Sequence, residues 1–381
     1  MGDPSSIAMM DAMNRLPRRG MRGIRGTVAA LAVVITAAAA ASSGCSSGGD
    51  SENSADPRVI TPASAAQSPP VTTAPAGTVH RIAGQASAVL LDTSTKTVSI
   101  LADEGQIVTT VTRDDLDTVR RVTRLPSPAT AAVGDDRGTV YLSTAGGYFA
   151  LDIASGRADK VTISGHENTE FSAITRRPDG RIVLGSADGT VFTLDLQNQV
   201  IAHAAGFAHI DSLAYQGNTV AVLDRAQSSV TTLTAAGDGT AHALRAGEGA
   251  TTMLADDKGR LLVADTRGGA LLAFGLADSL ILRQRYPVSG APYGLAYSAT
   301  LIWVSQTATN TVIGYDLSTG IPEERARFVD LCGNLIHWSA TDPHYLWHPG
   351  RATGYRRSTS GASDEPRRAR QLSGELGKRA R

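Results

Sequence analysis

Short apolar runs separated by polar turns recur along the middle of this chain. The clearest copy is Leu254–Phe274, LADDKGRLLVADTRGGALLAF, in which turn residues lead into one apolar run, a polar break and a second apolar run. Similar stretches surround Val140, Ile182, Val220 and Ile302. Anchored on Val140, Ile182, Val220, Leu261 and Ile302, the copies stand 42, 38, 41 and 41 residues apart. A weaker copy is placed at Ala88 (AVLLDTSTKTVSI), 52 residues before Val140, with an insertion over Thr109–Leu125. Upstream of the anchors lies another apolar position, Val133, Ile174, Leu213, Leu254 or Leu295, seven residues before its anchor except Ile174, at eight. Each copy therefore predicts an inner strand, a middle hairpin and an outer strand.

Self-similarity at this period, with paired short strands joined by Asp-Gly or Gly-Gly turns, is the mark of β-propeller blades. The expectation is an all-β propeller over residues 80–328, with six recognisable blades of about 41 residues each. Beyond Phe328 the repeat stops. Residues 329–381 hold two of the three Trp, three of the eight His (His337, His344 and His348) and an Arg-rich end. Back-translating Leu331–Pro349 with GC-rich codons and shifting the frame gives Val-Arg-Gln-Pro-Asp-Ser-Leu-Val, which is similar to the approach to the inner strand at His209–Leu213. The tail is accordingly expected to be a frame-shifted remnant, and the fold to be that of a seven-bladed family with a disrupted last blade.

The N-terminal region has a different pattern. Arg15, Arg18, Arg19, Arg22 and Arg25 precede the uncharged apolar run Thr27–Ala41, and Ser42-Ser43-Gly44-Cys45 follows. A basic region, an apolar core and small residues make residues 1–44 a signal peptide, with Met21 (or Met13) as alternative starts. Cys45 after Ser-Gly resembles the bacterial lipobox, departing from it at Ser42. That resemblance implies acylation of the Cys45 thiol, as with palmitate, and anchoring at the extracytoplasmic face of the cell membrane; plain secretion is the alternative. Residues 45–79, rich in Ser, Ala, Pro and Thr, are expected to be a flexible tether.

Composition narrows the partners. Lys plus Arg equals Asp plus Glu at 36 each, so no global case for nucleic-acid binding exists. The other cysteine, Cys332, is not expected to pair with Cys45. Ligands of propellers usually meet loops at the channel mouth. There His166, Glu167, Glu170, His209 and Asp211 are the candidates for metal binding or acid/base work. None sits at a known metal-ligand spacing, so no metal or cofactor is expected. The recurring Asp92, Asp224 and Asp265 read as turn residues.

The chain lacks Gly-x-Ser-x-Gly, His-Glu-x-x-His, a phosphate-binding Gly-rich loop with Lys, and Cys-x-x-Cys-His. It also lacks the Gly-His…Trp-Asp pattern of WD40 repeats. The repeats are similar to the looser YVTN- or NHL-type propeller repeats. With the lipobox, Cys45–Phe328 resembles actinobacterial propeller lipoproteins. That resemblance implies a membrane-anchored scaffold binding a protein or peptide ligand at the cell envelope. Lactone hydrolases and streptogramin lyases belong to the same broad group, which keeps a hydrolase or lyase as the alternative, although their site residues match no positions here.

Overall fold

The computed structural model describes residues 59–70, 72, 78–80, 86–276, 279–298, 300–319 and 322–328, and the short strands at 338–339, 345–346 and 355–357. The expected signal peptide, Cys45, the first part of the tether and most of the tail lie outside the described residues. So does the ground on which a disrupted seventh blade was expected.

Six four-stranded antiparallel meanders follow one another. The first runs through Ala86–Asp92, Thr97–Ala102, Ile107–Thr112 and Asp115–Arg124, and the second through Ala129–Gly134, Thr139–Thr144, Gly147–Asp152 and Ala158–Thr162. The third comprises Phe171–Arg176, Ile182–Ser186, Val191–Leu194 and Val200–Ala204, and the fourth Ser212–Gln216, Thr219–Asp224, Ser229–Leu233 and Thr240–Arg245. The fifth has Ala250–Ala255, Arg260–Asp265, Ala270–Gly275 and Ile281–Pro287, and the sixth Pro292–Tyr297, Ile302–Gln306, Thr311–Asp316 and Glu323–Phe328. This is the expected all-β, six-bladed propeller. Strand Trp338–Ser339 adds in parallel to the inner strand of blade six, and Thr78–His80 forms a separate sheet with Tyr355–Arg357 and Tyr345–Leu346.

The core lies between blades. Six buried clusters occur among the described residues, one at each junction in the ring. Successive side chains on a strand point to opposite faces, so the second strand of blade five divides its apolar residues between two neighbours. Leu261 and Val263 join the cluster shared with blade four, whereas Leu262 and Ala264 join the one shared with blade six. A strand covered on both faces reads as a continuous apolar run, which explains why Ile182–Ser186 is buried along its length. Outer strands face solvent, as in the mostly exposed Thr240–Arg245. The ring closes through packing of the same kind: Ala296, Trp303 and Val312 of blade six meet Val89, Leu91, Val98 and Ile100 of blade one.

One element differs from the sequence reading. Ala86–Asp92 is the inner strand of blade one, and its second strand is Thr97–Ala102. Taking Val98 as the anchor, Val140 follows 42 residues later, and the apparent insertion becomes the third strand and the long outer strand. The misalignment has a chemical cause. Asp92 accepts hydrogen bonds from the Ser94 hydroxyl and from the Thr95 amide and hydroxyl, organising a tight turn much as Asp224 and Asp265 do after second strands. Similar turn chemistry occurs at two different positions of the blade.

Hydroxyl groups sew the inner strands together. Ser87, Thr130, Ser172 and Thr251 each stand at a register shift near the start of an inner strand. Thr130 Oγ1 donates to the Phe171 carbonyl of the next blade at 2.5 Å, Ser172 Oγ to Ile210 at 2.6 Å, and Thr251 Oγ1 to Tyr293 at 3.4 Å.

Candidate functional site

The upper face of the ring is the one where inner strands begin and where second strands turn into third strands. Two buried aspartates build it in blades four and five. Asp224 Oδ2 accepts from the Ala208 amide at 2.7 Å and Oδ1 from the Gln227 amide at 2.9 Å. Asp265 Oδ1 accepts from the amides of Glu248, Gly249 and Gly268 at 3.0, 2.9 and 3.0 Å. Each carboxylate thus binds the loop before an inner strand to the turn after the adjacent second strand. That is the turn role expected of them, and it makes the face rigid.

The five candidate residues occupy two places. His166, Glu167 and Glu170 line a hollow of about 410 Å³ at the junction of blades two and three, together with Asp188. The His166 ring packs on Phe192 with centroids 4.5 Å apart. Glu167 folds back so that Oε1 accepts the Gly165 amide at 2.9 Å. Hydrogen bonds from its own amide and from that of Gly165 hold its carboxyl below the usual carboxylate range.

His209 and Asp211 lie at the next junction. His209 Nδ1 stands 3.4 Å from Asp211 Oδ1, and the Asp211 carboxylate raises the imidazole pKa against the opposing effect of burial. Asp211 Oδ2 accepts the Arg225 amide at 2.8 Å, and its Oδ1 is 3.9 Å from Arg225 Nη1. The carboxylate therefore orients Arg225 as well as facing His209. Among the described residues no group of three or more His, Cys, Asp or Glu could hold a metal ion. As arranged, these side chains fix loops and offer hydrogen bonds around the channel mouth.

The largest difference from the sequence reading is on this same face. Val59–Pro70, expected to belong to a flexible tether, lies across blades four to six. The Ile60 amide donates to the Ala226 carbonyl at 2.7 Å, and the Ala66 amide to Thr307 Oγ1 at 3.0 Å. Arg267 Nη2 donates to the Thr61 carbonyl at 2.8 Å, Arg225 Nη2 to the Ala63 carbonyl, and Asn310 Nδ2 to the Pro69 carbonyl at 3.4 Å. Composition reports how much side chain a segment can bury. It does not register a segment held by its backbone.

Sequence reasoning missed Arg225, Arg267, Thr307 and Asn310. A signal was present: Asp224-Arg225 and Asp265-Thr266-Arg267 place an arginine within two residues of each upper-face turn aspartate.

Neither a family model nor a curated protein matches the chain. Its likenesses are to solved structures. A chain of a mitotic checkpoint complex is 13% identical with a TM-score of 0.62, the match covering 79% of this chain and 100% of that one. The WD40 repeats of RRP9 are 13% identical with a TM-score of 0.59, covering 76% and 98%. A catalytically inactive virginiamycin B lyase from Staphylococcus aureus, solved with quinupristin, is 12% identical with a TM-score of 0.57, covering 76% and 97%. At such identities the likeness is one of fold, and the fold is the β-propeller.

Proposed function

We propose that this protein is a membrane-anchored, extracytoplasmic propeller that binds a protein or peptide of the cell envelope through its upper face. The observation that carries this reading is the segment Val59–Pro70, a polypeptide already seated on that face by five hydrogen bonds to its backbone. The propeller fold, shared with WD40 proteins and with a chain of a mitotic checkpoint complex, is consistent with a protein-binding scaffold. Anchoring would come from acylated Cys45. Two experiments test the reading. Cys45→Ser should move the protein from the membrane to the soluble fraction. A photo-crosslinking residue at exposed Glu248, on the upper face, should capture an envelope protein that the same residue at exposed Asn218, on the opposite face, does not. Equal capture from both faces, or from neither, refutes it.

The His209–Asp211 pair favours a second reading, a lyase or hydrolase with an acid/base group at the channel mouth. Turnover of quinupristin or a lactone, lost in a folded His209→Ala variant, would establish it in place of the scaffold. For the tail, we infer that residues 329–381 replace a seventh repeat through a frame shift. A gene whose alternative frame encodes no such repeat rules this out.

A further inference from the structure

Val59–Pro70 reads VITPASAAQSPP, and three features set it apart from the rest of the fold. First, the ring is complete without it: none of the six buried clusters contains a residue from 59–70. Second, the five bonds reported above all go to its main chain. Three carbonyls and two amides are read, and no bond in this set uses one of its side chains. Third, the groups that read it are set in place by the propeller. Asp211 orients Arg225, and Arg267 Nη1 also donates to the Glu248 carbonyl at 3.0 Å. Thr307 is buried, its amide and hydroxyl both donating to the Ala291 carbonyl at 3.1 Å. A surface prearranged around a chain that the core does not need has the design of a binding groove.

The same contacts define what the groove accepts. The propeller reads the carbonyls at 61, 63 and 69 and the amides at 60 and 66. Residues 62, 69 and 70 are proline, which has no N–H to offer, and none of the five bonds calls for one there. Ala63 is the one buried residue of the segment, at 6% exposure. Beneath it, a Cβ added to Gly249 would stand 2.9 Å from the Ala63 Cβ and 2.8 Å from that of Arg267. The centre of the groove therefore takes only a small side chain. Elsewhere the occupant's side chains are exposed or half-buried, so position 63 sets the strictest limit on side-chain size.

We propose that the upper face of blades four to six is a binding groove for a drawn-out segment of proline and small residues in a partner protein, and that Val59–Pro70 fills it as an exchangeable internal stand-in. This rests on the scaffold reading and names its ligand class. An internal occupant on a short connection competes at an effective concentration on the order of millimolar, so a partner segment of modest affinity binds only when the stand-in lets go.

The test uses the full chain and a fluorescein-labelled synthetic peptide of residues 59–70 as probe, followed by anisotropy. Ala63→Arg should expel the internal segment and let the peptide bind at least about tenfold more tightly than it binds the unaltered chain. Ala66→Pro, which removes the amide read by Thr307, should give the same direction of change and serves where Ala63→Arg fails to fold. Adding Arg225→Ala and Arg267→Ala to either variant should abolish the gain, and a peptide carrying arginine in place of Ala63 should not bind. Peptide affinity equal in the altered and unaltered chains overturns the proposal. Face-selective crosslinking from Glu248 without any gain in peptide affinity would sink the groove and leave the scaffold standing, whereas failure of both would remove both.

Discussion

Asp265→Ala should destabilise the propeller by about 3 kcal/mol, and Asp265→Asn by clearly less, about 1 kcal/mol. Asp265 is fully buried, and one oxygen, Oδ1, accepts the amides of Glu248, Gly249 and Gly268 at 2.9–3.0 Å. Alanine leaves all three without that acceptor. The Gly249 amide is buried and carries most of the loss, on the order of 1–3 kcal/mol for an orphaned buried donor. The other two bonds are only part-buried, so water replaces the acceptor there at about 0.5–1 kcal/mol each. Asparagine keeps an oxygen in the Oδ1 position. What it gives up is charge at Oδ2, which is buried without a hydrogen-bond partner and 3.9 Å from Arg285 Nη2. The amide nitrogen set there is an unpaired buried donor costing about 1 kcal/mol. The guanidinium is 48% exposed, so screening leaves little of the ion pair to lose. Urea unfolding of the full chain followed by circular dichroism measures the difference. The alanine midpoint should fall well below the other two. If alanine and asparagine cost the same, anchoring of amides is not what Asp265 does, and the account of the upper face is wrong.

Three further outcomes are expected. Trp303→Ala, at a side chain 5% exposed in the junction of blades six and one, should cost about 3–5 kcal/mol and raise hydrogen exchange first in 86–102 and 296–312. Ser172→Ala should cost about 1 kcal/mol by removing the 2.6 Å bond to Ile210, whereas alanine at the exposed Asn218 should change the unfolding midpoint little. His209 has a pKa raised in the folded state by Asp211, so its contribution is fully present below the unfolded value of about 6.5 and is lost as pH rises through the folded pKa. Unfolding midpoints across that range should lose this component in His209→Ala; an unchanged pH dependence contradicts the pairing.

Much of the architecture was legible because burial on both blade faces leaves a continuous apolar run, and six blades repeat it. The roles of Asp224 and Asp265 were legible too, since a carboxylate at a strand end has few other uses. The frame slipped at Asp92, where a strand-ending aspartate organises a similar turn one strand earlier in the blade. The candidate site was less legible. Their positions near inner-strand entries in the repeat grouped His166, Glu167, Glu170, His209 and Asp211 at one channel mouth, and the fold divides them between two blade junctions. The seated segment was invisible to compositional reasoning. Its holding groups are spread over Arg225–Asn310, and they recognise backbone carbonyls and amides, which carry little of a residue's identity.

Hydrogen–deuterium exchange of the full chain, resolved at 59–70, most directly tests the claim that the upper face holds a polypeptide. The amides of Ile60 and Ala66, bonded to Ala226 and Thr307, should exchange markedly more slowly than in a free peptide of the same sequence. That protection should collapse in the Arg225→Ala, Arg267→Ala double variant while the buried strand Ile182–Ser186 keeps its own. Exchange at free-peptide rates in the unaltered chain would contradict the account.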